Sequence, residues 1–181
     1  INLLIGDSVS SSIMCIKFFG YVQRIYTLFA ASVGRWNILK KHIKSLNPKP
    51  LSETRWECRI ECIKAIMFEI TEIRNALNEL QDTILDAAVV SEASSLSEKI
   101  EDFEFLLTLS VWYVLLSKFN IVSKSMQKAT FDMNNAIELL RNCKIFLENY
   151  RDSGFSDALK SAKDLAALLN VNAQFKAVRI R

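Results

Sequence analysis

Turn-forming and metal-binding residues are scarce in this chain. Only 4 of its 181 residues are glycine and 2 are proline, too little punctuation for the many short strands and tight turns of a sheet-rich fold. The single histidine, His42, and four cysteines at Cys15, Cys58, Cys62 and Cys143 leave little to bind a metal. Cys58 and Cys62 lie one helical turn apart, but a tetrahedral zinc site would need two further ligands near them. Semi-buried reduced thiols are the expectation, which suits a reducing compartment. There is no phosphate-cradling glycine loop, nucleophile elbow or paired set of metal ligands. Acid–base chemistry would fall to carboxylates that helix caps and solvated faces already explain, Asp7 among them as a helix-terminal or loop acid. No catalytic residue, metal, cofactor or small-molecule substrate is therefore assigned to the chain. The longest nearly unbroken apolar run, Phe105 to Leu116, is shorter than the ~20 residues that cross a bilayer, so a buried helix is expected there and no membrane partner. No charged leader precedes an apolar stretch, and the chain opens on Ile1, so it reads as a fragment or an incomplete gene model, with no secretory signal visible in it.

What is present is helical periodicity. From Thr54 to about Leu85 the apolar residues Trp56, Ile60, Ile63, Met67, Ile70, Ile73, Leu77, Leu80 and Ile84 recur every three or four positions. That spacing makes one stripe on a helix roughly 45 Å long. Thr54 and Glu57 have the form of a capping box, and Pro48 and Pro50 stop any helix entering from upstream. Further helices are expected over 12–31, over 35–45 with Trp36, Leu39 and Ile43 inward, and over 95–118 from a second capping box at Ser95 to Glu98. Shorter pieces should follow to Ala129 after a bend at Asn120, then over 133–150 and 155–169, separated at Ser153-Gly154. Residues 87–94 read as a loop and 47–50 as the clearest linker. The helix through Phe105 to Leu116 is apolar nearly all round, the mark of a core helix. The fold class is all-α: an irregular bundle of six to seven helices built around one long amphipathic helix. It forms a single domain, with 1–12 as a lead-in, 13–170 as the helical body and 171–181 as an irregular basic tail.

Charge is low in sum and uneven in place. The net charge is +3. Arg35 to Arg59 carries Arg35, Lys40, Lys41, Lys44, Lys49, Arg55 and Arg59 against Glu53 and Glu57. Glu79 to Glu104 is acidic, with Lys99 its lone cation. A basic end suits a polyanion; an ordinary solvated surface is the alternative reading of the same charges. Arg55-Trp56 falls in the first turn of the long helix, where unpaired N–H groups and the positive dipole end favour an anion. The alternative places Trp56 as the first core residue of its stripe and Arg55 in solvent.

The blocks Phe18-Phe19-Gly20, Ile25 to Ser32, Arg35-Trp36 and Leu51 to Arg59 together resemble proteins of the hAT transposase superfamily, especially the zinc-finger MYM-type and related transposase-derived group. The likeness extends through Phe103 to Leu107, Trp112-Tyr113, Phe146-Leu147, Asn149 to Arg151 and Gly154-Phe155. The resemblance implies an RNase-H-like core interrupted by a large helical insertion, with two aspartates before it and one glutamate after it binding a divalent metal such as Mg²⁺. Residues 1–12 would be the tail of that core segment and most of the chain the insertion, with the catalytic triad outside it. It also implies a nuclear location, DNA terminal inverted repeats as partner, and homo-oligomers through the full-length protein. Arg55 and Trp56 would meet the DNA end, the indole stacking near a flipped base. Arg59, Lys40, Lys41 and Lys44 complete the expected DNA-facing set. A domesticated protein-interaction scaffold, without transposition or DNA-end binding, is the alternative.

Overall fold

The computed structural model of the chain describes residues 12–51, 56–127 and 133–176. Among them are seven helices and no strand: α1 (Ile13–Ala30), α2 (Val33–His42), α3 (Trp56–Phe68), α4 (Ile70–Thr83), α5 (Ala87–Ile100), α6 (Phe103–Met126) and α7 (Met133–Leu168). The all-α bundle expected from periodicity is the fold. Asp7 and the expected cap at Thr54 lie outside the described residues.

The apolar stripe forms the centre of the core. Ile60, Ile63, Ile70, Ile73, Leu77 and Leu80 are buried with Ile25 and Phe29 of α1, Leu39 of α2, Leu96 and Ile100 of α5 and Leu106 of α6. Each such side chain contributes about 1.5–3 kcal/mol on burial. The stripe is continuous, but the helix carrying it is not. Glu69 adopts φ −117 and ψ 25, outside helical values, so the expected single helix is two, α3 and α4. Hydrogen bonds from Glu69 N–H to the Ala65 carbonyl (3.0 Å) and from Ile73 N–H to the Glu69 carbonyl (2.8 Å) bracket the break, so the apolar register survives it.

Four other expectations are corrected. Residues 87–94 are helical: the Asp86 carboxylate accepts from Ala88 N–H at 2.9 Å and caps α5 there. Ser95 to Glu98 is consequently interior to α5, and the turn falls at Glu101-Asp102, where Asp102 accepts from Glu104 N–H at 3.1 Å and caps α6. Asn120 interrupts the apolar run without ending the helix, so α6 extends over 24 residues. By length and composition α6 is long and apolar enough to cross a membrane, which the twelve-residue run did not suggest; in the bundle it packs between α3 and α7. Ser153-Gly154 is not a break either, because α7 is one helix of 36 residues.

Gly154 sits inside α7 for a packing reason. A Cβ there would meet the Tyr150 ring at 2.2 Å. Around it Ala136, Cys143, Ala158 and Ala162 are buried, a run of small residues along the seam with α6. Phe146 stacks on Tyr150 at 5.6 Å, with the Lys118 ammonium of α6 5.3 Å from the Phe146 ring centre. The helix ends in a left-handed residue, Asn170 (φ 54), with Val171 N–H bonded to the Ala166 carbonyl at 2.9 Å, as in a Schellman cap.

Replacing Gly154 with Ala should therefore lower stability despite alanine's higher helix propensity. We expect a loss of about 1–2 kcal/mol, a fall in Tm of roughly 2–6 °C. Tyr150→Ala/Gly154→Ala should lose less than the two single changes added together; strict additivity in thermal melts would show that the ring and the glycine are independent.

Candidate nucleic-acid interface

Beside the apolar stripe, α3 and α4 carry a second one. Glu57, Glu61, Ala65, Glu69, Glu72, Ala76 and Glu79 also recur at three- and four-residue spacing, so they share a helix face. The basic segment from the end of α2 lies along it. The Lys41 ammonium donates to both Glu79 oxygens at 2.9 and 3.0 Å, and His42 Nε2 lies 2.7 Å from Glu79 Oε2. Lys44 Nζ pairs with Glu72 and Lys49 Nζ with Glu61, both at 2.5 Å. Lys124, from the last turn of α6, pairs with Glu57 at 2.6 Å. Ala65 and Ala76, both buried, are the small residues of the row.

Glu69 makes a different kind of contact. Its side chain is 3% exposed. One oxygen accepts from Ser45 N–H (2.9 Å), Ser45 Oγ (2.9 Å) and Leu46 N–H (3.2 Å), while the other accepts from Lys44 N–H (3.1 Å). Burial alone would push this carboxyl up, but the four hydrogen bonds outweigh it and hold the group below the usual glutamate value. The exposed pairs shift their partners by direct contact: the hydrogen bond to Glu72 raises Lys44, that to Glu61 raises Lys49, and those from Lys41 and His42 lower Glu79. Such solvated pairs add little to stability and are weakened by salt. Glu69, buried and fully engaged, is the contact that holds the segment down.

The expected DNA-facing residues divide into three groups. Arg55 and the side chain of Trp56 lie outside what the structure describes, though Trp56 is the first residue given for α3. Arg59 turns toward α1, its guanidinium 5.1 Å from the centre of the Phe19 ring. Phe19 in turn packs edge-on to Trp112 at 5.0 Å, so Arg59 caps an aromatic cluster. Lys40, Lys41 and Lys44 are exposed. Lys41 and Lys44 are engaged with α4, while Lys40 has no ion pair among the described residues. The second Arg-Trp pair is a helix-start feature: Arg35 Nη1 donates to the Leu28 carbonyl at 3.1 Å, and the part-buried Trp36 packs edge-on to Tyr26. A periodicity reading of apolar residues alone missed Glu57, Glu61, Glu69, Glu72 and Glu79 as a set, although their spacing is in the sequence.

No cluster of three or more histidine, cysteine or acidic side chains suited to a metal occurs among the described residues. Burial pushes the Cys62 thiol up to about 12, so it stays protonated at neutral pH. A cleft of about 240 Å³ between α1, α5 and α6, lined by Met14, Lys17, Tyr21, Lys99, Glu104 and Thr108, lies away from the basic segment. No family model, no curated protein and no solved structure matches this chain.

The depressed Glu69 carboxyl fixes the sign of one pH dependence. A carboxyl held lower in the folded state contributes stability above its unfolded value, about 4.3, and that contribution is lost as pH falls through the folded value. Glu69→Gln should cost about 2 kcal/mol at pH 7. Its deficit relative to the unsubstituted chain should shrink as pH falls from about 5 to 3. Thermal melts at each pH check this; a deficit that stays constant or grows on acidification would show that the charge is not what binds the loop.

Proposed function

We propose that this chain is the helical insertion domain of a hAT-type transposase or a transposase-derived nuclear protein, and that it contributes to binding DNA ends without catalysing a reaction itself. The proposed DNA-facing set is Arg55, Trp56 and Arg59, with Lys40 and Lys41 in the last turn of α2 and Lys44 just after it. Strand cleavage, its acidic triad and its divalent metal belong in this reading to the parent protein, as do recognition of terminal inverted repeats and assembly into homo-oligomers.

The observation that carries the reading is an asymmetry of exposure. The side chains of Lys41 and Lys44 are 67% and 77% exposed, while their partners Glu79 and Glu72 are 23% and 17% exposed. A polyanion approaching this face meets the ammonium groups first, with the carboxylates behind them. An arginine and a tryptophan at a helix start add a phosphate ligand and a stacking surface.

One observation favours the interaction-scaffold reading. Met133, Ile137 and Leu140 are exposed at four- and three-residue spacing on the first half of α7, an apolar strip of the kind that marks protein contacts.

Fluorescence anisotropy with duplex ends and a salt series separates the two. On the DNA reading, Lys40→Ala/Lys41→Ala/Lys44→Ala lowers affinity and flattens the log–log salt slope by up to about three. Arg55→Ala and Trp56→Ala weaken binding to duplex ends with the circular dichroism spectrum and Tm intact. A lowered Tm for Trp56→Ala with duplex affinity unchanged below the melt would assign that indole to the core. Concentration-dependent self-association without salt-sensitive DNA affinity would favour the scaffold.

A further inference from the structure

We infer that the Glu72 and Glu79 carboxylates act as an internal competitor for the polyanion, occupying Lys44 and Lys41 until a nucleic-acid duplex displaces them. The inference rests on the DNA-facing reading above and specifies how that surface is regulated. The segment after α2 is held by two kinds of contact. Glu69 grips backbone N–H groups of Lys44, Ser45 and Leu46 and the Ser45 hydroxyl, and no ammonium group. Glu72 and Glu79, by contrast, hold the lysines by their Nζ atoms. Releasing the ammonium groups therefore needs only rotation of long, solvated side chains, while the loop backbone stays anchored.

The backbone anchor also keeps the released groups in place. Lys44 donates its N–H to Glu69 and its Nζ to Glu72, so its Cα does not move when Nζ changes partner. Lys40, without an ion pair among the described residues, is free to make the first contact with a phosphate. An isolated anion gains little by breaking one internal pair. A duplex presents several phosphates at once and exchanges both pairs together, so the masked surface discriminates against small anions. His42 shares Glu79 Oε2 with Lys41 Nζ, and it is the only histidine in the chain. Its ring is a natural reporter of the exchange.

The test uses the full chain and a duplex oligonucleotide at low salt. Glu72→Gln/Glu79→Gln should raise duplex affinity roughly three- to tenfold. The gain should vanish when Lys41 and Lys44 are also alanine. Glu98→Gln/Glu138→Gln makes the same change in net charge at exposed positions with no ion pair among the described residues, and should alter affinity by less than about twofold. An equal gain in that control, or no gain in Glu72→Gln/Glu79→Gln while the unsubstituted chain binds, overturns the competitor and leaves the DNA reading standing. Failure of every form to bind duplex overturns both. A second measurement needs no substitution: the His42 ring proton resonances should shift on saturation with duplex and stay unchanged with inorganic phosphate at the same ionic strength. Resonances that do not move on saturation with duplex overturn the inference.

Discussion

The carboxylate of Glu69 is the contact on which this architecture turns. It lies where α3 gives way to α4, nearly excluded from solvent, and accepts four hydrogen bonds from three consecutive residues of the connection after α2. A buried carboxylate without such partners would cost several kcal/mol. The break and the ligation explain each other. A glutamate continuing as an interior helical residue on this face would have a buried charge to satisfy, and the backbone amides of a turn supply the donors. One side chain thus sets the bend in the central helical element and the path of the basic segment across it.

Other contacts of the same type close the bundle at its far side. Arg74 of α4 donates to the Leu169 carbonyl at the end of α7 at 2.7 Å, placing a cation at a helix C-terminus where the dipole favours it. Asp102 caps α6, accepts from Lys99 at 3.0 Å and lies 3.7 Å from Lys176, while Phe175 packs edge-on to Phe103. The α5–α6 corner and the segment beyond α7 are therefore fastened together. In each case a charged group satisfies the end of a helix and also joins residues distant in sequence. Apolar area drives association of the helices; these polar contacts fix where each helix stops and what it stops against.

That division of labour explains what the sequence made legible. Apolar periodicity located the helical regions, and the stripe through Ile60, Ile63, Ile70, Ile73, Leu77 and Leu80 is the core that its spacing implied. Boundaries were harder because they depend on partners rather than on spacing. Glu69 looks like any surface glutamate until Ser45, 24 residues away, is placed against it. Gly154 looks like a breaker until the Tyr150 ring is seen to need the space. Asp86 was a local cap in plain view, obscured by the small and polar character of the residues it starts. For the candidate site, Lys40, Lys41 and Lys44 were legible as exposed lysines. Their neighbours were not, because Glu72 and Glu79 are remote in the chain and are close only after α2 folds back onto α4.

The same point limits what a run of charge means. Summed along the chain, Arg35 to Arg59 is a basic block; in space, its Lys41, Lys44 and Lys49 face a row of glutamates from α3 and α4. Pairing does not abolish the basic character of the surface, because the partners are not equivalent in position. The glutamates are backed by the helices that carry them, whereas the lysine heads extend into solvent. In high dielectric such pairs are weak, so the field outside is governed by which charge stands nearer the water. A basic segment laid over an acidic stripe can therefore be nearly neutral at rest and still present cations to any partner that approaches closely enough to compete.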